Sequence, residues 1–315
     1  MFLFWLIVSA CATSSKNSQK PEVQREEAGL PAPEIPSDLA AQSILDLPRS
    51  QDGAIILSEG MFEGEFKSYC LQPGTPDPSS LDAYRQAPLF GYRKDIVESV
   101  LRNSLDRTDL QQRNVQLLLW SVVSGSDYNK LSPAVKSTAR ELLTSKQVFA
   151  LQGGMMGVVK AIAASMPETG LNRTFTEMRN LFELGSSSYE AYESIAVLRQ
   201  PSTKTGSNYK TDQWYQQEGG YFVRYFPQGY QRTKIQVYVP KGSLDSDGKK
   251  SGSYLVFDPI YMMAVPANSN AQRLGIGAPV ADVIRKVIQI QKLPPTPKRP
   301  PANKPNTDPK GIVLN

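Results

Sequence analysis

No histidine occurs anywhere in these 315 residues. Its absence removes Ser–His–Asp and Cys–His nucleophilic catalysis, and with them every metal site built on imidazole. Cysteine is nearly as scarce: there are two, Cys11 and Cys70. Cys11 falls in an apolar N-terminal segment, so the body of the chain holds one thiol. One thiol makes no internal disulfide and no cysteine-rich zinc site. The opening apolar run, Phe2 to Val8, is far shorter than the roughly 20 residues a membrane-spanning helix needs. No cofactor and no metal is expected from this inventory. The net charge of +5 is diffuse, with Lys292, Lys298, Arg299, Lys304 and Lys310 in one Pro-rich run. A surplus spread in this way does not point to nucleic acid.

What is present begins with MFLFWLIVSACATSS. The apolar run has the length of a signal-peptide core, although no Lys or Arg precedes it. The tetrad Val8-Ser9-Ala10-Cys11 resembles a bacterial lipobox. That resemblance implies a diacylglyceryl group on the Cys11 sulfur and cleavage just before it. By analogy with enteric lipoproteins, Ala12 rather than Asp implies the outer membrane, facing the periplasm or the cell surface.

Composition divides the rest. Residues 12–50 are rich in Ser, Pro, Glu and Ala without a period and read as a disordered tether. Residues 293–315 hold LPPTPKRPPANKPNTDPKG, too dense in Pro for helix or sheet. Between them, 51–200 reads as a mainly helical region with short strands, and 201–292 as an antiparallel sheet with a C-terminal helix packed against it. The expected class is α+β. Helices are expected over 95–105, 109–123 (Asp109 or Thr108 as N-cap), 133–144 (Ser132 as N-cap, Pro133 first), 155–164, 175–184, 188–198 and 280–291. The segment GAIILSEGMFEGEFKSYCL reads as one or two strands and is expected to join the later sheet. The two-residue period puts Phe62, Gly64, Phe66, Ser68 and Cys70 on one face, which points Cys70 inward. GGYFVRYFPQGYQRTKIQVYVPKG reads as a hairpin around Pro-Gln-Gly, and GSYLVFDPIYMMAVPA as one or two more strands.

The apolar helix NVQLLLWSVV carries an amide, Gln116, within its apolar run. Gln116 and Trp120 stand four apart, on one helix face. A buried amide without partners costs a few kcal/mol, so something must satisfy it. Val115-Gln116-Leu117-Leu118-Leu119-Trp120 is similar to the glutamine motif of bacterial thioester domains, and Tyr69-Cys70-Leu71 to their aromatic-Cys-apolar signature. That resemblance implies an internal thioester between the Cys70 sulfur and the Gln116 side-chain carbonyl, formed with loss of ammonia. It further implies that Trp120 and Tyr69 shield the bond and that the protein couples covalently to amines, as Gram-positive surface adhesins do. Beside it stands the plainer reading, in which Cys70 is a small buried hydrophobe and Gln116 a core amide bonded to nearby backbone.

Other patterns carry less. Ser207-Asn208-Tyr209-Lys210 with Lys250-Ser251-Gly252 imitates penicillin-binding enzymes but lacks a Ser-x-Asn motif between. Asp245-Ser246-Asp247-Gly248 lacks the further carboxylates of a calcium loop. Tyr221, Phe222, Tyr225, Phe226 and Tyr230 are expected to be core and cross-strand pairs rather than a glycan platform. The sequence therefore leads to an exported, lipid-anchored envelope protein that binds or supports another envelope protein or a glycan. The thioester adhesin is the alternative, and a histidine-free hydrolase stands third. If Cys11 is the lipid attachment point, labelled palmitate will enter the wild type and vanish in Cys11→Ala; equal labelling of both would remove the anchor.

Overall fold

The structure is a computed structural model that describes residue 35 and residues 39–91, 93–152, 171–186, 188–244 and 254–280. Cys11, most of the tether, the helix expected over 155–164, all but the first residue of that expected over 280–291, the Pro-rich tail and the loop motifs at 245–248 and 250–252 lie outside the described residues. Within them the chain is a mixed α+β fold, with a mostly antiparallel sheet flanked by helices.

Twelve strands follow in chain order. They are β1 (Gln42–Ser43), β2 (Ile55–Leu57), β3 (Gly60–Cys70), β4 (Thr75–Pro76), β5 (Tyr84–Pro88), β6 (Val197–Leu198), β7 (Tyr215–Gln216), β8 (Phe222–Pro227), β9 (Arg232–Val239), β10 (Leu255–Phe257), β11 (Met262–Pro266) and β12 (Leu274–Pro279). The main sheet runs β5-β11-β12-β3-β9-β8-β7, with β1 added in parallel against β3. The early strand β3 thus sits at its centre, antiparallel to β9 on one edge and to β12 on the other. The helical and sheet regions marked out by composition share this one sheet. The tether expectation is also shortened: Gln42–Ser43 pairs with Phe62 and Glu63, and Ile44 just beyond is fully buried.

β3 earns its place through alternation. Phe62, Phe66, Ser68 and Cys70 are all buried, as the two-residue period requires of a core-facing row. Tyr69 is buried as well, because β12 brings two glycines to the other face. A Cβ on Gly277 would lie 2.6 Å from the Tyr69 ring, and one on Gly275 3.0 Å from Leu101. The sequence LGIGAP of β12 carried no strand pattern; its glycines are there for close approach. The sheet also curls. On β5, Gln86 donates to the Tyr221 hydroxyl at 2.8 Å and accepts from that of Tyr225, on β8, at 2.9 Å, joining strands far apart in the order.

The helices are α1 (Lys94–Asn103), α2 (Gln112–Ser124), α3 (Pro133–Leu142), α4 (Ser145–Leu151), α5 (Leu171–Glu183) and α6 (Tyr189–Ala196). α2 is central. It packs against α1, α3, α5, α6 and β3, which is why it is apolar nearly all round. Ser132 caps α3 through the Val135 N–H, with Pro133 at the first helical position, as expected. α2 departs from expectation: it begins at Gln112 without a side-chain cap. Asp109 instead binds both Nε and Nη2 of Arg107, at 2.8 and 2.6 Å, and is not available as a cap. Gly125 ends α2 in the left-handed region at φ 72°, and the Ser126 N–H reaches back to the Ser121 carbonyl.

One polar knot ties the loops on the far side. The side chain of Asp82 has no exposed surface; Lys204 Nζ lies 2.6 Å from it, the Ser202 hydroxyl 2.5 Å, and the Ser79 hydroxyl and N–H 2.7 and 2.8 Å. Burial by itself raises this carboxyl's pKa. Hydrogen bonds from Lys204, Ser202, Ser269 and Ser79 outweigh it and hold the group well below the usual carboxylate range. A depressed folded-state pKa stabilises above the unfolded value near 4 and loses that contribution as pH falls through the folded value. Asp82→Asn is expected to lower stability at pH 7 by about 1–3 kcal/mol and to lose less than the wild type between pH 5 and pH 2, read from urea midpoints. Equal acid sensitivity in the two proteins would show that Asp82 is not the group responsible.

Candidate functional site

The site forms where β9 leaves β3. The two strands pair from Gly60 with Val239 to Lys67 with Arg232, and the Ser68 N–H still reaches the Gln231 carbonyl at 2.9 Å. Beyond that the chain of β9 turns away through Gln228–Gln231. Even-numbered residues of β3 direct their N–H and C=O to this edge, so Ser68 O and both polar groups of Cys70 are left without a strand partner. Buried main-chain groups cannot stay unpaired without a cost near that of a lost hydrogen bond.

Helix α2 supplies the missing partners with side chains. Gln112 Nε2 donates to the Ser68 carbonyl at 3.2 Å and to that of Gln231 at 2.8 Å. One turn on, Gln116 accepts from the Cys70 N–H through Oε1 at 2.9 Å and donates from Nε2 to the Cys70 carbonyl at 3.0 Å. Its carboxamide acts as a detached peptide unit that continues the sheet. The spacing of four aligns Gln112 and Gln116 along one helix face, parallel to the open strand edge. Cys70 and Gln116, singled out in the sequence, are therefore brought into direct contact. The contact runs through the Cys70 main chain, which centres the carboxamide on the residue that carries the sulfur.

The surroundings are apolar and aromatic. Cys70 is a free thiol with no exposed surface. Burial pushes its pKa up to about 12, with the neighbouring Trp120 indole partly opposing the rise. Trp120 is fully buried, and among the described residues its Nε1 has no conventional hydrogen-bond acceptor. The Tyr189 ring stacks on it at 5.7 Å between centroids, and the Tyr230 ring lies at 6.2 Å. Above them a pocket of about 510 Å³ opens, lined by Gln112, Arg113 and Gln116 of α2 and by Tyr189, Tyr230 and Gln231. Gln116 lines it while remaining 1% exposed, so access to the carboxamide is narrow.

The hydroxyls at this pocket are tightly coupled. Tyr230 Oη donates to Glu193 Oε1 at 2.5 Å, lies 2.5 Å from Tyr189 Oη, and accepts from Gln231 Nε2 at 3.0 Å. Burial, Glu193 and Tyr189 together raise the Tyr230 pKa far above its ordinary value. Arg199 binds Glu193 at 3.1 Å and Asp77 at 3.2 Å, and Asp77 in turn accepts from the Tyr230 N–H.

The sequence-derived shield is half corrected. Trp120 stands beside the sulfur. Tyr69 does not: neighbours in a strand point to opposite faces, and Tyr69 packs over Gly277 with its hydroxyl against Ser104. Tyr189 and Tyr230 cover Trp120 in its place. Sequence reasoning missed Tyr189 and Glu193 and grouped Tyr230 only with the strand aromatics. Gln112 carried a signal, since it lies four residues before Gln116. Of the aromatics expected in the core, Tyr221, Phe222, Tyr225 and Tyr230 are buried, whereas Phe226 is half-buried under the Arg224 guanidinium. In the Ser207–Lys210 motif the serine hydroxyl accepts from the Tyr209 N–H, and the Lys210 N–H goes to Tyr215; both are turn contacts.

Gln116→Met keeps the volume and removes both hydrogen bonds. Each buried group left unpaired costs about 1–3 kcal/mol, so a loss of about 2–6 kcal/mol is expected from urea unfolding. Gln112→Met, at the more exposed contact, should cost less; the reverse order would contradict the strand-edge role. No protein-family model, curated protein or solved structure matches the chain.

Proposed function

We propose that Cys70 and Gln116 condense to an internal thioester and that the protein uses it to capture an amine covalently. The observation that carries this reading is the paired contact of the Gln116 carboxamide with the Cys70 main chain. Such a contact holds an acyl group in a rigid frame against the main chain of the residue that carries the thiol, and proximity replaces a large part of the barrier in intramolecular reactions.

The chemistry balances without a co-reactant. The Cys70 sulfur attacks Cδ of Gln116, the Cδ–Nε2 bond breaks, and the nitrogen leaves as ammonia with the thiol proton. Negative charge gathers on Oε1 in the tetrahedral intermediate, and the Cys70 N–H at 2.9 Å is a donor aimed at that atom. The Trp120 N–H, which among the described residues lacks another acceptor, is available to the sulfur. In the second step an amine attacks Cδ from the pocket, the C–S bond breaks, and an amide joins the captured molecule to Gln116. Burial keeps water from the activated acyl group in the interval. No histidine is needed at either step.

The expected setting is the cell envelope, with the body tethered through lipid on Cys11, probing envelope proteins or glycans that carry amines. A second reading rests on the same hydrogen bonds. Gln116 completes the open edge of β3 whether or not it reacts, which suits a binding or structural module. Intact mass separates the two. The thioester predicts a chain lighter by one ammonia, no alkylation of Cys70 even after unfolding without added nucleophile, and addition of methylamine at Gln116. Cys70→Ala should restore the lost mass. A full-mass wild type with a thiol that alkylates on unfolding leaves only the structural module.

A further inference from the structure

An amine that reaches this pocket arrives protonated at neutral pH and is then no nucleophile. Its proton needs an acceptor, and the chain has no histidine to serve. From the lining of the pocket over Gln116 and the short contact beneath it, we infer that Tyr230 and Glu193 form a proton relay that activates the incoming ammonium. The inference rests on the thioester reading and adds the group that makes capture efficient.

Three observations meet at Tyr230. It lines the pocket together with Gln116. Its hydroxyl is bonded to Glu193 Oε1 at 2.5 Å, while Tyr189 and Gln231 hold it from two other sides, at 2.5 and 3.0 Å. Glu193 lies behind it and also lines a second pocket of about 480 Å³ with Glu190, Arg199 and Gln200. The carboxylate therefore touches the reactive pocket through tyrosine and has its own opening beyond. Arg199 at 3.1 Å fixes its orientation.

In the step, the ammonium takes the place of Gln231 Nε2 at Tyr230 Oη and gives it one proton as the tyrosine proton passes to Glu193 Oε1. The free amine attacks Cδ of Gln116. The attacking nitrogen gives its second proton to the sulfur as the C–S bond breaks, so Cys70 departs as a thiol, the form its burial favours. The third hydrogen stays on the new amide. Glu193 returns its proton to solvent through the second pocket. Tyr230 touches the substrate, and Glu193 acts through it. The titratable and charged groups around the relay are Tyr189 and Glu193 on α6, Asp77 at the Tyr230 N–H, Arg199 beyond β6, and Arg113 and the buried Cys70 thiol on the α2 side.

The test uses the full chain with methylamine as probe, in wild type, Tyr230→Phe and Glu193→Gln. Loss of one ammonia in the intact mass reports that each variant folds and forms the thioester, since both need the buried Cys70–Gln116 contact. The relay predicts that all three lose ammonia, but that methylamine addition at neutral pH is about 100-fold slower in the variants, a typical contribution of a positioned acid–base group. It further predicts a wild-type rate nearly independent of pH from 6 to 8, against variants that follow free amine at about tenfold per pH unit. Variants that carry the thioester and react at the wild-type rate and profile would overturn the relay and leave the thioester intact. A full-mass wild type would remove both.

Discussion

The carboxamide of Gln116 lying on the main chain of Cys70 is the contact on which the arrangement depends. Strand β3 outruns β9, and an outrun strand in the interior has polar groups that nothing in the sheet can satisfy. Two glutamines on one face of α2 meet that demand and thereby dock the helix against the strand edge. The docking in turn sets the position of Trp120, one turn beyond Gln116. A single requirement, that buried N–H and C=O be paired, thus places the thiol, the amide and the indole together.

The same geometry gives this glutamine its structural role and is what the proposed thioester would draw on. Holding Oε1 on an N–H and Nε2 on a carbonyl leaves Cδ fixed between them, beside the sulfur-bearing Cα. A side chain chosen only to cap a strand edge could be any amide reaching from any direction. Here it reaches from within an apolar helix and lines a pocket shared with Tyr189 and Tyr230, whose rings lie against Trp120. Burial in those surroundings favours the neutral thiol. Of the two hydroxyls at the pocket, that of Tyr230 is bonded to the Glu193 carboxylate, and that of Tyr189 to Tyr230.

Much of this was legible in the residues. The alternation in MFEGEFKSYC put Cys70 on the inward row with Phe62 and Phe66, and the apolar run around Gln116 required a buried helix and a partner for the amide. The hairpin around Pro-Gln-Gly followed from two alternating segments and a turn. Other elements left no local trace. LGIGAP became a central strand because Tyr69 and Leu101 need space that only Gly277 and Gly275 leave, a condition set by a neighbour about 200 residues away. Asp109 looked like a helix cap, and Arg107 claimed it.

The sequence by itself determined that catalysis without histidine was the only kind available, that one thiol lay inward and unpaired, and that one glutamine had to be satisfied within an apolar helix. Each follows from residue type and local period. Only the tertiary structure decided that the thiol and the glutamine are each other's neighbours, that Tyr69 faces away from them, and that Tyr189, Tyr230 and Glu193 gather above. Those facts depend on where β9 stops pairing with β3 and on which helix closes the gap, and pairing between distant segments is not encoded in any one of them.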